Sequence, residues 1–390
     1  MQVPIDKDIS IDKLTRDPYP LYQRMRAKTP VLKVASVGRI LLTKAADTRY
    51  VKLEPELFSS DDPNTPMERA FQAKTLMRRD GSDHMRLRAA MMPAFSIPNI
   101  KKLWIPAFTD IVEHYVARLP RGEVVDFFPG FAGPVAARCL ARLLGMDSAS
   151  DEQMQRWSQT LINGAGNFGW RPEPFAQSDL ANDEINACLQ DAAAKLRGTS
   201  DQSALAVQIN AEEPIEWEHI LSNIKIAIGG GLNEPRDSML TVLYGLLSHP
   251  EQLQRCREES LWTQAFEEAI RWVAPIQVSS RLAVQDTVIR DYEIAKGEVV
   301  MTVQASANHD EEIYRRGECF DMFRTETRHQ AFGNGPHFCM GTHVARRLIG
   351  EVVLPILFDR FPDMSLADPD AVVWSGFGFR GPLNLPVLLK

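Results

Sequence analysis

The chain has 390 residues, 44% of them hydrophobic and 24% charged, with a formal net charge of −7. That balance provides for a large core and excludes a disordered chain, and the acidic excess argues against general nucleic-acid binding. No apolar run approaches the roughly 20 residues of a membrane span, the polar start MQVPIDKDIS is no secretory leader, and five scattered cysteines and eight histidines form neither a disulfide framework nor an H-x-x-x-H pair, so a soluble, cytoplasmic protein without a membrane partner is expected.

In chain order, the first helix is expected over residues 18–28, followed by a hairpin of residues 31–36 and 39–43 that turns at Val37-Gly38. Residues 58–79 read as polar and turn-rich. Helical patterns dominate from 82 to 272, interrupted at 163–174 where glycine, proline and aromatic residues cluster. Strands are expected at 278–284 and 287–294, and a further helix from about residue 340 to 361. The tail VVWSGFGFRGPLNLPVLL reads as turns and strands. No Gly/Ser-rich linker or repeat divides the chain.

The segment AFGNGPHFCMG, residues 331–341, sets one cysteine in a glycine-rich, otherwise apolar turn. Gly333, Gly335 and Gly341 allow close backbone approach, so N–H groups can point at the Cys339 sulfur. Phe332 can pack beside it and keep water away, and a helix beginning nearby would place a positive end close to an anion. These features favour a thiolate. A lone cysteine among apolar residues is otherwise more often a small buried hydrophobe, and here the spacing decides. Phe332-x-x-Gly335-x-His337-x-Cys339-x-Gly341 resembles the haem-binding loop of the cytochrome P450 family, with all five signature positions filled.

The resemblance implies a mostly α fold with a small β-rich part, the cytochrome P450 fold, as a single domain over residues 1–390. It implies haem b as cofactor and Cys339 as the ligand of its iron, whose electron-rich thiolate favours O–O cleavage. Glu268 and Arg271, at an i, i+3 spacing in FEEAIRW, can pair on a helix; the family buries such a pair together with a further arginine, matched by Arg324, as a structural network. His84 and Arg88 share one helix face at i, i+4, and with Arg281 and His337 they match the family's contacts to the haem propionates.

In IAIGGGLNEPRD the family's acid–alcohol pair is replaced by Asn233 and Glu234. A buried glutamate with a raised pKa would be a competent general acid in place of the usual proton relay, and as a base it could serve peroxygenase activity. The bland alternative turns Glu234 toward solvent at a plain proline kink. Pro235 lacks an N–H and clashes with the Gly231 carbonyl, so the helix is expected to open there, leaving a groove along Gly229, Gly230 and Gly231. The Asn-Glu-Pro run and Gly378-Phe379-Arg380-Gly381-Pro382 are similar to a bacterial subgroup that demethylates guaiacol and syringol. That similarity places Phe71 and Phe379 around a substrate ring and Ala165 where a third phenylalanine can stand, leaving room for a second ring substituent. Phe168, Trp170 and Phe175 are further pocket candidates, although aromatic residues in such a loop are as often core as pocket.

The expected function is therefore a monooxygenase acting on a small apolar substrate, foremost the O-demethylation of a methoxylated aromatic compound. Hydroxylation of a terpene or other small hydrocarbon is the alternative, and a non-catalytic haem-binding protein an alternative of another class. A separate ferredoxin or flavin reductase is expected to supply electrons. Arg78, Arg79, Arg86, Lys101, Lys102, Arg346 and Arg347 are candidates for docking it, against the reading of a solvated face.

Overall fold

Residues 1–390 are all described by a computed structural model, and its secondary structure is mostly helical with small sheets. The chain separates into two units, the first made of Met1–Pro63, Thr241–Cys339 and Val372–Leu383, the second of Asn64–Leu240, Met340–Ala371 and Asn384–Lys390.

The first unit is built on a six-stranded sheet in the spatial order Ile5–Asp6, Val31–Val34, Arg39–Leu42, Val299–Val303, Val278–Ala283 and Phe58–Ser59. The expected hairpin forms, with Val31 opposite Leu42 and Gly38 at φ +69° in the turn. Val299–Val303 pairs parallel with Arg39–Leu42 and antiparallel with Val278–Ala283. Sequence reading missed this strand because all its residues are buried, which erases the alternation that marks a half-exposed strand. The single strand expected at 287–294 is instead a hairpin of Thr287–Ile289 and Tyr292–Ile294, since Arg290 takes φ +55° and reverses the chain. Val31, Ile40, Leu42, Val51, Phe58 and Val300 form one core cluster. The helices Tyr19–Lys28, Ala45–Leu53 and Trp262–Trp272 belong to this unit.

The second unit is helical. The stretch at 58–79, expected as turns, contains the helix Pro66–Phe71, where Thr65 Oγ1 accepts from the Met67 amide, proline opens the first turn and Gln72 at φ +49° ends it. The break at 163–174 is also shorter than expected. Helix Asp151–Ala165, started by a Ser150–Gln153 capping box, runs into it, and Pro172–Leu196 leaves it. Strand Val124–Asp126, inside the span read as helical, pairs with Pro386–Leu388, which also pairs with Ser365–Leu366.

Helix Trp217–Leu247 begins in this unit and passes through Pro235 without interruption, contrary to the expected opening. One missing amide removes one bond of the ladder, and the bonds on either side carry the helix through. The helix after the cysteine starts at Thr342, later than expected, and passes through a π segment, Arg347–Val353, into Leu354–Arg360. The wider turn lies just before Pro355, where the regular ladder would lose a bond.

Candidate active site

In the first unit the Cys339 loop is a tight turn. Cys339 N donates to Phe332 O at 2.9 Å, Phe338 N to Gly335 O at 3.0 Å and Gly333 N to Gln330 O at 2.9 Å. Gly333 and Gly335 lie at φ +75° and +69°, and a Cβ on Gly335 would stand 2.4 Å from the Lys52 carbonyl oxygen, so glycine is required there for both conformation and space. Gln330, which sequence reading did not single out, anchors the loop. Its amide N–H donates to Asn308 Oδ1, its side chain donates to Ala45 O and accepts from Thr48 Oγ1, and Asn334 Nδ2 donates to it at 2.7 Å.

Cys339 is exposed, so it is not the buried hydrophobe a lone cysteine usually is. Cys139 and Cys256 do fit that description: burial pushes both thiols up, Cys256 to about 12. Phe332 makes tilted contacts with Phe266 and His329 and an edge-on contact with Phe338, with ring centroids 6.1 to 6.4 Å apart. His337 sits in the short turn Gly335–His337, and buried Arg281 on strand Val278–Ala283, where its Nη1 donates to Ser280 O.

The Glu268 network is as its spacing suggests. Arg271 bonds Glu268 through Nε and Nη2 at 2.7 and 2.8 Å, Arg324 Nε donates to the same carboxylate at 2.9 Å, and all three are buried. The remaining guanidinium donors go to the carbonyls of Asn308, Gly317, Cys319, Arg315 and Arg316, and Asp321 N donates to Glu268 Oε1, so the buried charges are well satisfied. Phe379 is half-buried and bridges Ile276, held by Arg380, which donates to the carbonyls of Thr15 and Arg16.

In the second unit, helix Trp217–Leu247 is buried on most sides, but Ile226, Ala227, Gly230, Gly231, Glu234 and Pro235 form an accessible stripe at helical spacing. A Cβ on Gly230 would meet nothing within 4 Å. On either side in sequence the space is closed: a Cβ on Gly229 would lie 2.7 Å from Phe71 Cζ, and one on Gly231 3.0 Å from Leu140 Cδ1. Phe71, fully buried at the end of helix Pro66–Phe71, thus lies against the helix beside the stripe. That helix packs tightly on Asp151–Ala165, because Gly164 admits Ala70, whose Cβ would be 2.7 Å from an added one. Ala165 follows, buried, while Phe168 is half-buried and Trp170 exposed, its ring tilted against buried Phe175 with centroids 5.6 Å apart.

Glu234 is on the stripe, one turn after Gly230. Both its carboxyl oxygens are buried with no hydrogen-bond partner beyond its own backbone. Burial pushes its carboxyl up to about 8; its own amide offsets a part, the Asp237 carboxylate adds to the rise and Arg236 opposes it. The bland reading of Glu234 as a solvated residue is therefore not what the fold contains. Asn233, expected beside it in the chemistry, is turned elsewhere: its Oδ1 accepts from Arg236 Nη1 at 3.0 Å. Arg236 also pairs with Asp237 at 2.7 Å and lies 4.3 Å from the Phe128 ring centroid. One step along a helix is about 100°, so Asn233 and Glu234 face different neighbours. The adjacent charges of Arg236 and Asp237 inside an apolar helix were the available signal for this buried pair.

His84 is buried on helix Gly81–Met91, with Arg88 one turn later. Gly341, expected in the haem loop, precedes helix Thr342–Arg346 and accepts from Ala345 N. Of the basic surface candidates, Arg79 pairs with Asp83, Arg86 with Glu216 and Arg347 with Glu351, so much of that positive charge is already compensated.

This donor set fits a haem. The first unit carries an accessible thiol on a rigid turn, together with Arg281 and His337. A single protein sulfur is one of the donors that can hold a porphyrin iron, the macrocycle supplying four nitrogens.

A family model described as Cytochrome P450 matches residues 173–362. The biotin biosynthesis cytochrome P450 of Bacillus subtilis (strain 168) is 27% identical over 394 residues, covering 96% of this chain and 97% of that one. Linalool 8-monooxygenase of Pseudomonas putida is 27% identical, covering 95% of each. Among solved structures, cytochrome P450 CREJ in complex with (4-ethylphenyl) dihydrogen phosphate is similar with a TM-score of 0.87 at 25% identity, covering 96% of this chain and 98% of that one.

Proposed function

Since the chain belongs to the cytochrome P450 family of haem monooxygenases, we propose that its reaction is the O-demethylation of a small methoxylated aromatic compound. Cys339 would ligate the haem iron as a thiolate, Phe332 would shield the sulfur, Gly341 starts the helix that follows, and His84, Arg88, Arg281 and His337 would hold the propionates by charge-assisted hydrogen bonds. When bound, a thiolate-ligated haem supplies O–O bond cleavage and insertion of one oxygen atom into a C–H bond. One oxygen of dioxygen enters the methoxy C–H bond; the other leaves as water, taking two electrons and two protons. The hydroxylated methyl carbon then departs as formaldehyde, leaving a phenol.

The observation that carries this reading is Glu234, a buried carboxyl raised to about 8 on the open face of a helix that Phe71 flanks. At neutral pH such a group is mostly protonated, and it donates protons toward the Gly230 face in place of the family's usual relay. As a carboxylate it can take a proton from hydrogen peroxide, which makes peroxygenase turnover an additional activity. Asn233 acts as a positioning residue through Arg236. Phe71, Ala165, Phe168 and Phe379 bound the substrate, with Gly230 admitting it to the helix face. A benzene ring is also what the CREJ structure holds. Hydroxylation of a small terpene is the second reading, favoured by the linalool-oxidising relative. Electrons come singly from a separate ferredoxin or flavin reductase, as is typical of bacterial members of the family. No helix is long and apolar enough to cross a membrane.

The test is turnover of guaiacol and syringol with a surrogate ferredoxin system and, separately, with hydrogen peroxide. Formaldehyde and a demethylated phenol in equal amounts are expected. Turnover of linalool without formaldehyde from either phenol would replace this reading with the terpene one. Consumption of reductant without product from any of them would remove both.

A further inference from the structure

Glu267 and Glu268 are adjacent on helix Trp262–Trp272, and a step of about 100° sends them to different neighbours. Glu268 is committed to the arginine network, whereas Glu267 Oε2 lies 3.0 Å from His329 Nε2. The other ring nitrogen of His329, Nδ1, accepts from the Ala331 amide at 3.2 Å. A backbone amide can only donate, so Nδ1 carries no proton; the ring hydrogen lies on Nε2 and is donated to Glu267. The His329 side chain is only 4% exposed, so this is not a solvated surface pair.

Ala331 is where the cysteine turn begins. The next residue, Phe332, supplies the carbonyl that accepts the Cys339 amide, and its ring lies 6.1 Å from that of His329. Gly333 and Gly335 give the turn its shape but have no side chain with which to anchor it, so its position depends on the residues that flank it. Two consecutive residues do this on different helices: Gln330 is tied to Ala45 and Thr48 on helix Ala45–Leu53, and His329 is tied to Glu267 on helix Trp262–Trp272. A carboxylate that orients an imidazole, which in turn holds a ligand-bearing segment, is a common way of fixing a metal ligand from outside its immediate contacts.

We propose that Glu267 and His329 form a positioning pair for the Cys339 sulfur: the carboxylate fixes the ring's tautomer, and the bare Nδ1 holds the Ala331 amide, so that the turn presents the cysteine in one place. The proposal rests on the reading of Cys339 as the thiolate ligand, and the experiment separates the two. The parent, His329→Phe, His329→Asn and Glu267→Gln are prepared as holoproteins. For each, the ferric/ferrous potential, the rate at which the ferrous carbon monoxide complex loses its red-shifted Soret band, and thermal unfolding by circular dichroism are measured.

Phenylalanine keeps a ring beside Phe332 but accepts nothing from Ala331. His329→Phe is therefore expected to lose the red-shifted band about 5–10-fold faster, with a more positive potential because a displaced sulfur gives less electron density to the iron. An asparagine side chain can accept from the amide two residues on, so His329→Asn is expected to recover most of both. In Glu267→Gln the new amide can donate to the ring as readily as accept from it, which leaves the tautomer unfixed and predicts an intermediate rate. Parent-like band loss and potential in His329→Phe, or a His329→Asn as impaired as His329→Phe, would overturn the proposal while leaving the thiolate reading intact. Lower unfolding temperatures with an unmoved potential would reduce the pair to packing and overturn it too, as would a Glu267→Gln equal to the parent. A parent without the red-shifted band would remove the thiolate reading, and the proposal with it.

Discussion

Phe71 presses its ring on the backbone of Gly229, so closely that a single added methyl group would lie 2.7 Å from Cζ and 3.1 Å from Cε1. The ring is fully buried and held from behind by the contact of its own helix with Gly164, so it has little room to retreat. Gly229→Ala is therefore expected to cost about 1–3 kcal/mol in thermal or denaturant unfolding and to weaken guaiacol binding. Phe71→Ala, which leaves a cavity, is expected to cost about 3–5 kcal/mol. Ferric titrations in which both variants bind the phenol like the parent would exclude Phe71 from the pocket.

Glu234 should make stability fall with rising pH. Its carboxyl is raised from 4.5 to about 8, so between these values the native state keeps a proton that the unfolded chain has lost. The favourable contribution is complete below the unfolded value and disappears as pH climbs toward the folded one. Glu234→Gln removes the titration, so its stability relative to the parent should improve by roughly 1–3 kcal/mol between pH 5 and 8.5. Parallel unfolding curves across that range would mean that the carboxyl is not raised.

The same variant tests the proton relay. An amide is a poor proton donor, and positioned acid catalysis is worth about 10²–10⁴-fold, so Glu234→Gln is expected to lose at least tenfold in product formation from both oxygen and peroxide. Product per electron consumed is the quantity to measure. A yield equal to the parent's would take Glu234 out of the relay.

Cys339→Ala should abolish the strongly red-shifted Soret band of the ferrous carbon monoxide complex, while circular dichroism keeps its helical content. The cysteine is exposed, and the backbone N–H of residue 339 closes the loop on Phe332 O. A variant that keeps both the red-shifted band and turnover would eliminate the thiolate assignment.

The network around Glu268 predicts an asymmetry. Removing the carboxylate with Glu268→Ala strands two buried arginines and should cost about 3–5 kcal/mol. Most of that loss should appear as faster haem release and lower expression. Arg347→Ala, which breaks an exposed i, i+4 pair with Glu351, should cost under about 1 kcal/mol. Equal costs for the two would mean that the Glu268 cluster is not buried in solution.

The cysteine loop and the Glu268 pair were legible because each is a local pattern. Glycines at 333 and 335 take left-handed φ values that other residues resist, and residues three apart on a helix meet whatever surrounds them. Helix Pro66–Phe71 and strand Val299–Val303 were not legible. The first is a single turn and a half whose signal is one capping threonine and a proline, and the second is buried on both faces and carries no period.

By itself the sequence determined the glycine-framed cysteine turn, the helical periodicities and the presence of Glu234 beside Pro235, since these reside in residue identity and short spacing. Tertiary structure decided what those residues experience. Glu234 and Asn233 are neighbours in sequence, but a 100° step separates an unpartnered buried carboxyl from an amide committed to Arg236. Lys52 reads in the chain as an ordinary helix lysine; only the packing of Ala45–Leu53 against the cysteine loop buries it beside Arg281. Burial and charge proximity are sums over distant parts of the chain, and no local pattern encodes them.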